Sequence, residues 1–382
     1  MFGGLSGRGR ASADPRRREG PAVSGTVTWA GLDVHARSVE AAAVSASTGE
    51  LWRRRFGGDV ASVVGWLGEL PGPVRACYEA GPTGYGLARA CAEAGIWCEV
   101  IAPSKTPRAA GERIKTDRRD AERLVRLLMA GSLRPVAVPS VEMEAVRDLV
   151  RSRAHLRDDL ARAKQRVSKM LLRYGRVYPE RSCWTTRHRA WLAGQQWQHP
   201  ASELAYLDYL AAVDGLVARR EAIDERLSRI AQDPALWPVV SRLRCFRGID
   251  TLTALAVAVE VGDWARFNRP SQLAAWLGLV PSLSQSGETL TRGSITKTGS
   301  QHARRLLVES AWHYAHVPRI GATLNRRQAG QPAHVLHIAW RAQTRLYRLH
   351  RRLRERGKPP NVVTVAIARE LAGFLWAAAL AP

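Results

Sequence analysis

The spacing of apolar residues changes character partway along the chain. As far as Pro135 they come in short runs bounded by glycine, serine or proline; from Ser140 onward they recur every three to four residues. The first pattern predicts strands and short helices, the second long amphipathic helices. Strands are expected at 27–34, 38–44, 51–56, 74–79 and 97–101, with helices at 60–70 and 85–94. Three strands followed by alternating helices and strands predict a mixed α/β sheet with helices packed against it. A further helix begins near Asp117, where Ala121, Leu124, Val125 and Leu128 have helical spacing.

Val146, Leu149, Val150, Leu156, Leu160, Val167 and Met170 mark a helix from Ser140 to about Tyr174, and Leu216, Ile223, Leu227 and Ile230 mark another over 202–230. Such a pair predicts an antiparallel or intermolecular coiled coil, either a hairpin within one subunit or a dimerising stalk. Trp184, Trp191 and Trp197 lie in the connector among Arg187, His188 and Arg189. They either stack on unpaired bases or pack against one another. An apolar helix at 252–261 follows Arg247-Gly248-Ile249-Asp250, a turn that either offers backbone N–H groups to phosphate or is an ordinary glycine cap. A serine- and threonine-rich loop at 282–291 comes next, and then two more helices, a basic one at 333–356 and an apolar one at 361–379. The expected divisions are 26–135, 136–236, 237–325 and 326–382, the latter three mostly helical. Residues 1–25 have no hydrophobic period and are expected to be disordered.

Candidate chemistry lies in the acidic residues. Lys115-Thr116-Asp117-Arg118-Arg119-Asp120 sets two carboxylates three residues apart on the buried face of a helix at its first turn, where the dipole favours anions. Alone, such a pair is equally a helix cap. Asp33 and Glu79 each close an apolar strand. Reactive groups of open sheets sit at strand ends, although either residue alone is equally a surface turn. Four carboxylates converging on one sheet edge would repel one another unless cations lay between them. Oxygen ligands beside a phosphate substrate point to Mg²⁺, two ions bridging the attacking and leaving oxygens.

Charge narrows the partner. Against 34 Asp and Glu stand 58 Lys and Arg, a formal charge of +24, so a nucleic acid is expected. Five scattered cysteines without C-x-x-C spacing read as reduced, buried and cytosolic, with no zinc site. No segment is expected to supply the roughly 20 uninterrupted apolar residues of a membrane span.

Gly31-Leu32-Asp33-Val34-His35, Tyr78-Glu79-Ala80-Gly81-Pro82-Thr83-Gly84 and Lys115-Thr116-Asp117-Arg118-Arg119-Asp120-Ala121 resemble the three acidic motifs of the DEDD insertion-sequence transposases. That family is similar to the resolvase RuvC in its N-terminal domain and to the pilin-gene invertases. The resemblance implies an RNase H-like fold, an acidic tetrad of Asp33, Glu79, Asp117 and Asp120, and an Mg²⁺ site. The segment from Phe267 to Leu307 resembles the family's C-terminal domain, which makes Ser286, followed by Gly287, the implied nucleophile; Ser284 and Ser294 are the alternatives. It further implies donor and target DNA, a structured guide RNA and a homodimer or homotetramer. Lys115, Arg118, Arg187, Arg189, Arg292, Lys297 and Arg304 are candidate nucleic-acid contacts.

The function expected is therefore DNA transposition through a transient phosphoserine link. The alternatives are an Mg²⁺-dependent nuclease that hydrolyses branched DNA, and a non-catalytic nucleic-acid-binding protein.

Overall fold

The structure, a computed structural model, describes residues 27–107, 116–287 and 289–381. The N-terminal segment expected to be disordered and Lys115 lie outside the described residues. The chain divides into two compact units, Met1–Val138 and Pro139–Pro382.

In the first unit, β1 (Thr28–Val34), β2 (Ser38–Ser45) and β3 (Leu51–Gly57) are followed by α1 (Val60–Glu69), β4 (Val74–Glu79), α2 (Gly86–Glu93), β5 (Trp97–Ile101) and α3 (Asp117–Met129). The sheet order is β3-β2-β1-β4-β5. β1 pairs antiparallel with β2 and parallel with β4, which pairs parallel with β5. The mixed sheet matches the expected pattern: short turns join β1, β2 and β3 antiparallel, and helical crossovers through α1 and α2 place β4 and β5 parallel to β1. The outer strand β3 carries Arg53, Arg54 and Arg55, charges that protect an open edge from pairing with another chain.

The two faces of the sheet are covered differently. Ala30, Leu32, Ala76 and Tyr78 pack with Val63, Trp66 and Leu67 of α1 and with Leu87 and Ala88 of α2. On the opposite face, Trp29, Cys77 and Ile101 pack against Leu124 and Leu128 of α3. Alternation along a strand therefore assigns Gly31 and Asp33 of β1, and Glu79 of β4, to the α3 face.

The second unit contains α4 (Val141–Arg173), α5 (Thr186–Ala193), α6 (Pro200–Ile230), α7 (Trp237–Leu243), α8 (Thr251–Val261), α9 (Pro270–Trp276), β6 (Pro281–Ser286), β7 (Thr289–Ile295), α10 (Gln301–Ala311), α11 (Ala322–Gln328), α12 (Ala333–Glu355) and α13 (Pro360–Ala379). α4 and α6 form an antiparallel pair within one chain. Arg153 bonds Asp224 near one end, and Tyr174 Oη lies 3.0 Å from Ser202 Oγ near the other. In the connector Trp184, Trp191 and Tyr178 surround His188, and Trp197 packs on Tyr174 and Tyr206. The tryptophans therefore pack against neighbouring rings.

Two expectations are corrected. The polar run at 282–291 is an antiparallel hairpin, β6 with β7, rather than a loop. Its serines and threonines alternate along exposed strands, and β-branched threonine favours extended backbone. Cys183 is exposed and Cys98 half-buried, so not every cysteine is buried. α13 has the length and mean hydropathy, 1.6, of a membrane span. Its apolar residues are nevertheless core: Val363, Ile367, Leu371 and Leu375, four residues apart, are fully buried among the other helices of this unit. Burial of each contributes about 1.5–3 kcal/mol.

Candidate active site

The acidic cluster is built by the packing of α3 on β1. Thr116 caps α3, accepting from Arg119 N, and Asp117 and Asp120 occupy the first turn. Carboxylates there complement the partial positive charge of the helix N-terminus. Ala121, Leu124, Val125 and Leu128 supply its buried stripe. An ideal Cβ at Gly31 would stand 2.4 Å from Ala121 O and 2.8 Å from Val125 N, so only glycine permits this approach. With α3 seated on Gly31, its N-terminal turn stands beside Asp33, two residues further along the same strand face.

One oxygen of Asp33, one nitrogen of His35 and one oxygen of Asp117 all lie within 4.8 Å of one another. His35 Nε2 is 3.2 Å from Asp33 Oδ2 and 3.8 Å from Asp117 Oδ1. Glu79 follows Tyr78, the register partner of Leu32, and so occupies the next rung beside Asp33 at the shared end of two parallel strands. Neighbouring strands run about 4.8 Å apart. Glu79 Oε1 is buried and makes no hydrogen bond. Asp120 is buried and accepts from Arg123 Nη2 at 3.0 Å.

Electrostatics mark Asp33 as the strained member. Burial pushes its carboxyl above the ordinary range, the nearby His35 pulls it down, and the charges of Asp117 and Asp120 push it up again. A carboxylate oxygen orphaned at Glu79 and a carboxylate destabilised at Asp33 both call for a cation. Asp33, His35 and Asp117 offer ligand atoms that would suit a hard divalent ion held mainly by oxygen, and Glu79 stands on the adjacent rung. His35 is the member the acidic pattern misses. It stands two residues after Asp33, contacts that carboxylate locally, and meets Asp117 only because α3 brings Asp117 to it.

Ser286 lies in the second unit, at the last position of β6, paired with Thr289 across a turn in which Gly287 has φ 56°. Ser282 and Ser284 on the same strand are exposed, as is Ser294 on β7. The base of the hairpin is fastened to α9. Lys297 N donates to Gly278 O, Thr298 Oγ1 to Ala275 O, and Arg304 Nη1 to both Leu277 O and Thr298 O.

The remaining cationic candidates occupy varied settings. Arg304 is one of the hairpin's fasteners, Arg187 pairs with Glu180, Arg189 with Asp214, and Arg118 shares Glu122 with Arg53. Arg292 stands opposite Leu283 in the hairpin, and Lys297 adopts a left-handed φ of 55°.

A DEDD transposase profile of the IS110 type matches residues 30–175, which contain all four acidic positions and the Gly31 seat. A second profile, described as Transposase IS116/IS110/IS902 family, matches residues 240–325, which contain the hairpin. A putative transposase, y4qE, of Sinorhizobium fredii is 45% identical over 303 residues, 79% of this chain and 74% of the relative. The chain belongs to the IS116/IS110/IS902 transposase family. The transposase for insertion sequence element IS1533 of Leptospira borgpetersenii is 32% identical over 342 residues, 86% of this chain and 97% of the relative. This member of the family is an enzyme, a transposase acting on DNA.

Proposed function

We propose that this transposase carries out Mg²⁺-dependent strand exchange with Ser286 as nucleophile. The observation that carries the reading is the convergence of Asp33, Asp117 and His35, with Glu79 on the adjacent rung, in a chain that also bears Ser286 beside a hairpin turn. Asp33, Glu79, Asp117 and Asp120 hold two Mg²⁺ ions, which when bound supply Lewis acidity to the phosphoryl oxygens. Ser286 Oγ bonds to phosphorus, and one DNA oxygen departs as a hydroxyl after taking a proton. A second DNA hydroxyl then displaces the serine, so the phosphodiester is conserved and no nucleotide hydrolysis is needed.

The formal charge of +24, mostly from arginine, supports the binding of a structured non-coding RNA that pairs with donor and target, alongside the DNA itself. Because exchange of two duplexes requires more than one nucleophile, the working form is a homodimer or homotetramer.

The test uses the intact element in its flanking DNA, assayed for the excised circular junction by PCR. Wild type gives the junction, and Ser286→Ala and Asp120→Asn each abolish it. A junction that survives Ser286→Ala while Asp120→Asn removes it would replace the serine step by metal-dependent hydrolysis.

A further inference from the structure

The second unit contains a basic cleft that none of the acidic or serine motifs uses. Two neighbouring cavities, of about 490 and 440 Å³, share Arg247 and Arg319 in their linings. His316 completes the first; Gly248, His313 and Arg327 line the second, with Asp250. The cleft thus gathers three guanidinium groups and two imidazoles around one carboxylate, and Asp250 already accepts from Thr253 N at the start of α8.

The cations are held in place by backbone oxygens. Arg247 Nη1 donates to His316 O at 3.3 Å and to Val317 O at 2.8 Å, and Arg327 Nη1 donates to Ile249 O. Each guanidinium has five N–H donors, so these bonds fix the fork and leave further donors available. Arg327 Nε is buried without a partner. Arg319 differs: it is exposed, its backbone N–H donates to Gln343 Oε1, and its side chain makes no hydrogen bond or ion pair among the described residues. Burial and the neighbouring Arg319 charge both disfavour the charged form of Arg247. Holding these like charges together costs stability unless an anion offsets it.

Gly248 permits the close packing that forms one wall of the cleft. At φ 79°, an ideal Cβ there would stand 2.7 Å from both the His313 ring and Ser310 O. The α7–α8 turn is thereby pressed onto the segment after α10, and a side chain at 248 would occupy the space between them. A planar, bidentate donor array matches phosphate in geometry as well as charge. The openness of the cleft suits a phosphate within a polymer, and the polymer on which this enzyme acts is DNA.

We propose that the cleft formed by Arg247, Arg319 and Arg327 around Gly248 binds a backbone phosphate of the DNA duplex. This inference does not depend on the serine step, and its test omits divalent metal so that catalysis plays no part. Binding of the full-length protein to a short fluorescent duplex is followed by anisotropy at salt concentrations from about 50 to 200 mM. Arg319→Glu is expected to weaken binding about tenfold and to reduce the slope of log affinity against log salt by about one. Arg319→Gln is expected to weaken it by about threefold with the same loss of slope. Arg229→Glu on α6, where Arg229 is exposed beside Glu225, measures what charge reversal does elsewhere on the surface. Equal losses in Arg319→Glu and Arg229→Glu would overturn the proposal, as would a loss confined to an RNA duplex of the same length. A thermal midpoint matching wild type for Arg319→Gln confirms that the loss is one of binding.

Discussion

Gly31 lies directly beneath the backbone of Ala121: a Cβ at position 31 would come within 2.4 Å of the Ala121 carbonyl oxygen. Because the obstacle is helix backbone, no rotamer change relieves it. Gly31→Ala is expected to lift α3 from β1 and to cost about 1–3 kcal/mol, the usual range for overpacking. Denaturant unfolding measures that cost. Excision should fall more steeply than stability, because Asp117 and Asp120 move with the helix. Full excision activity in Gly31→Ala would show that the site does not depend on this contact.

Asp33 is destabilised as a carboxylate by burial and by Asp117 and Asp120, with His35 only partly offsetting them. Its folded pKa is raised, so its ionisation works against folding as pH rises past the ordinary carboxylate value of 3.8. Asp33→Asn is therefore expected to raise the thermal midpoint in EDTA near neutral pH while abolishing excision. Added Mg²⁺ should stabilise wild type and leave Asp33→Asn unchanged. Equal Mg²⁺ stabilisation of both proteins would remove Asp33 from the metal site.

Glu260 shows the opposite sign. Burial alone would raise its carboxyl, but hydrogen bonds from His302, Arg151 and Ser300 and the Arg151 charge outweigh burial and hold it at about 2, below the ordinary 4.5. Only 2% of the Glu260 side chain is exposed, although Arg151 is 47% exposed. The depressed pKa contributes on the order of 3 kcal/mol, fully present above the unfolded value and lost as pH falls from 4.5 toward 2. Glu260→Gln should lose that contribution near neutral pH, and the gap between variant and wild type should close in acid. Unfolding measured across this range tests it; a gap that does not vary with pH would contradict the assignment.

Three serines of the hairpin strands compete for the chemical step. Quenching the reaction with denaturant and digesting the protein should leave, in wild type, a peptide containing Ser286 joined to DNA through a phosphodiester. The adduct is expected to persist in Ser284→Ala and Ser294→Ala and to vanish in Ser286→Ala. An adduct mapped to either of the other serines would move the nucleophile along the hairpin.

Much of this was legible in the chain because local patterns suffice for local structure. Apolar runs marked β1, β4 and β5, and Thr116 with the stripe from Ala121 to Leu128 marked α3, since strand and helix periods are written residue by residue. The hairpin at 281–295 was not legible in this way. Serine and threonine there satisfy a solvated loop and an exposed strand equally well.

By itself, the sequence determined which residues carry charge and on which element each sits: Asp33 and Glu79 at strand ends, Asp117 and Asp120 at a helix start. It also carried the family motifs. Only the tertiary structure decided that Asp33 and Asp117 meet beside His35 and that Glu79 stands on the rung next to Asp33, through the seating of α3 on Gly31 and the parallel register of β1 with β4. The same packing brought His35 to Asp117, left Glu79 Oε1 without a partner and gathered Arg247, Arg319 and Arg327 around one cleft. The reason is physical. Helix and strand periods are set by neighbours a few residues away, whereas a charge cluster depends on groups far apart in the chain, held together by burial of apolar faces that are indifferent to the charges they position.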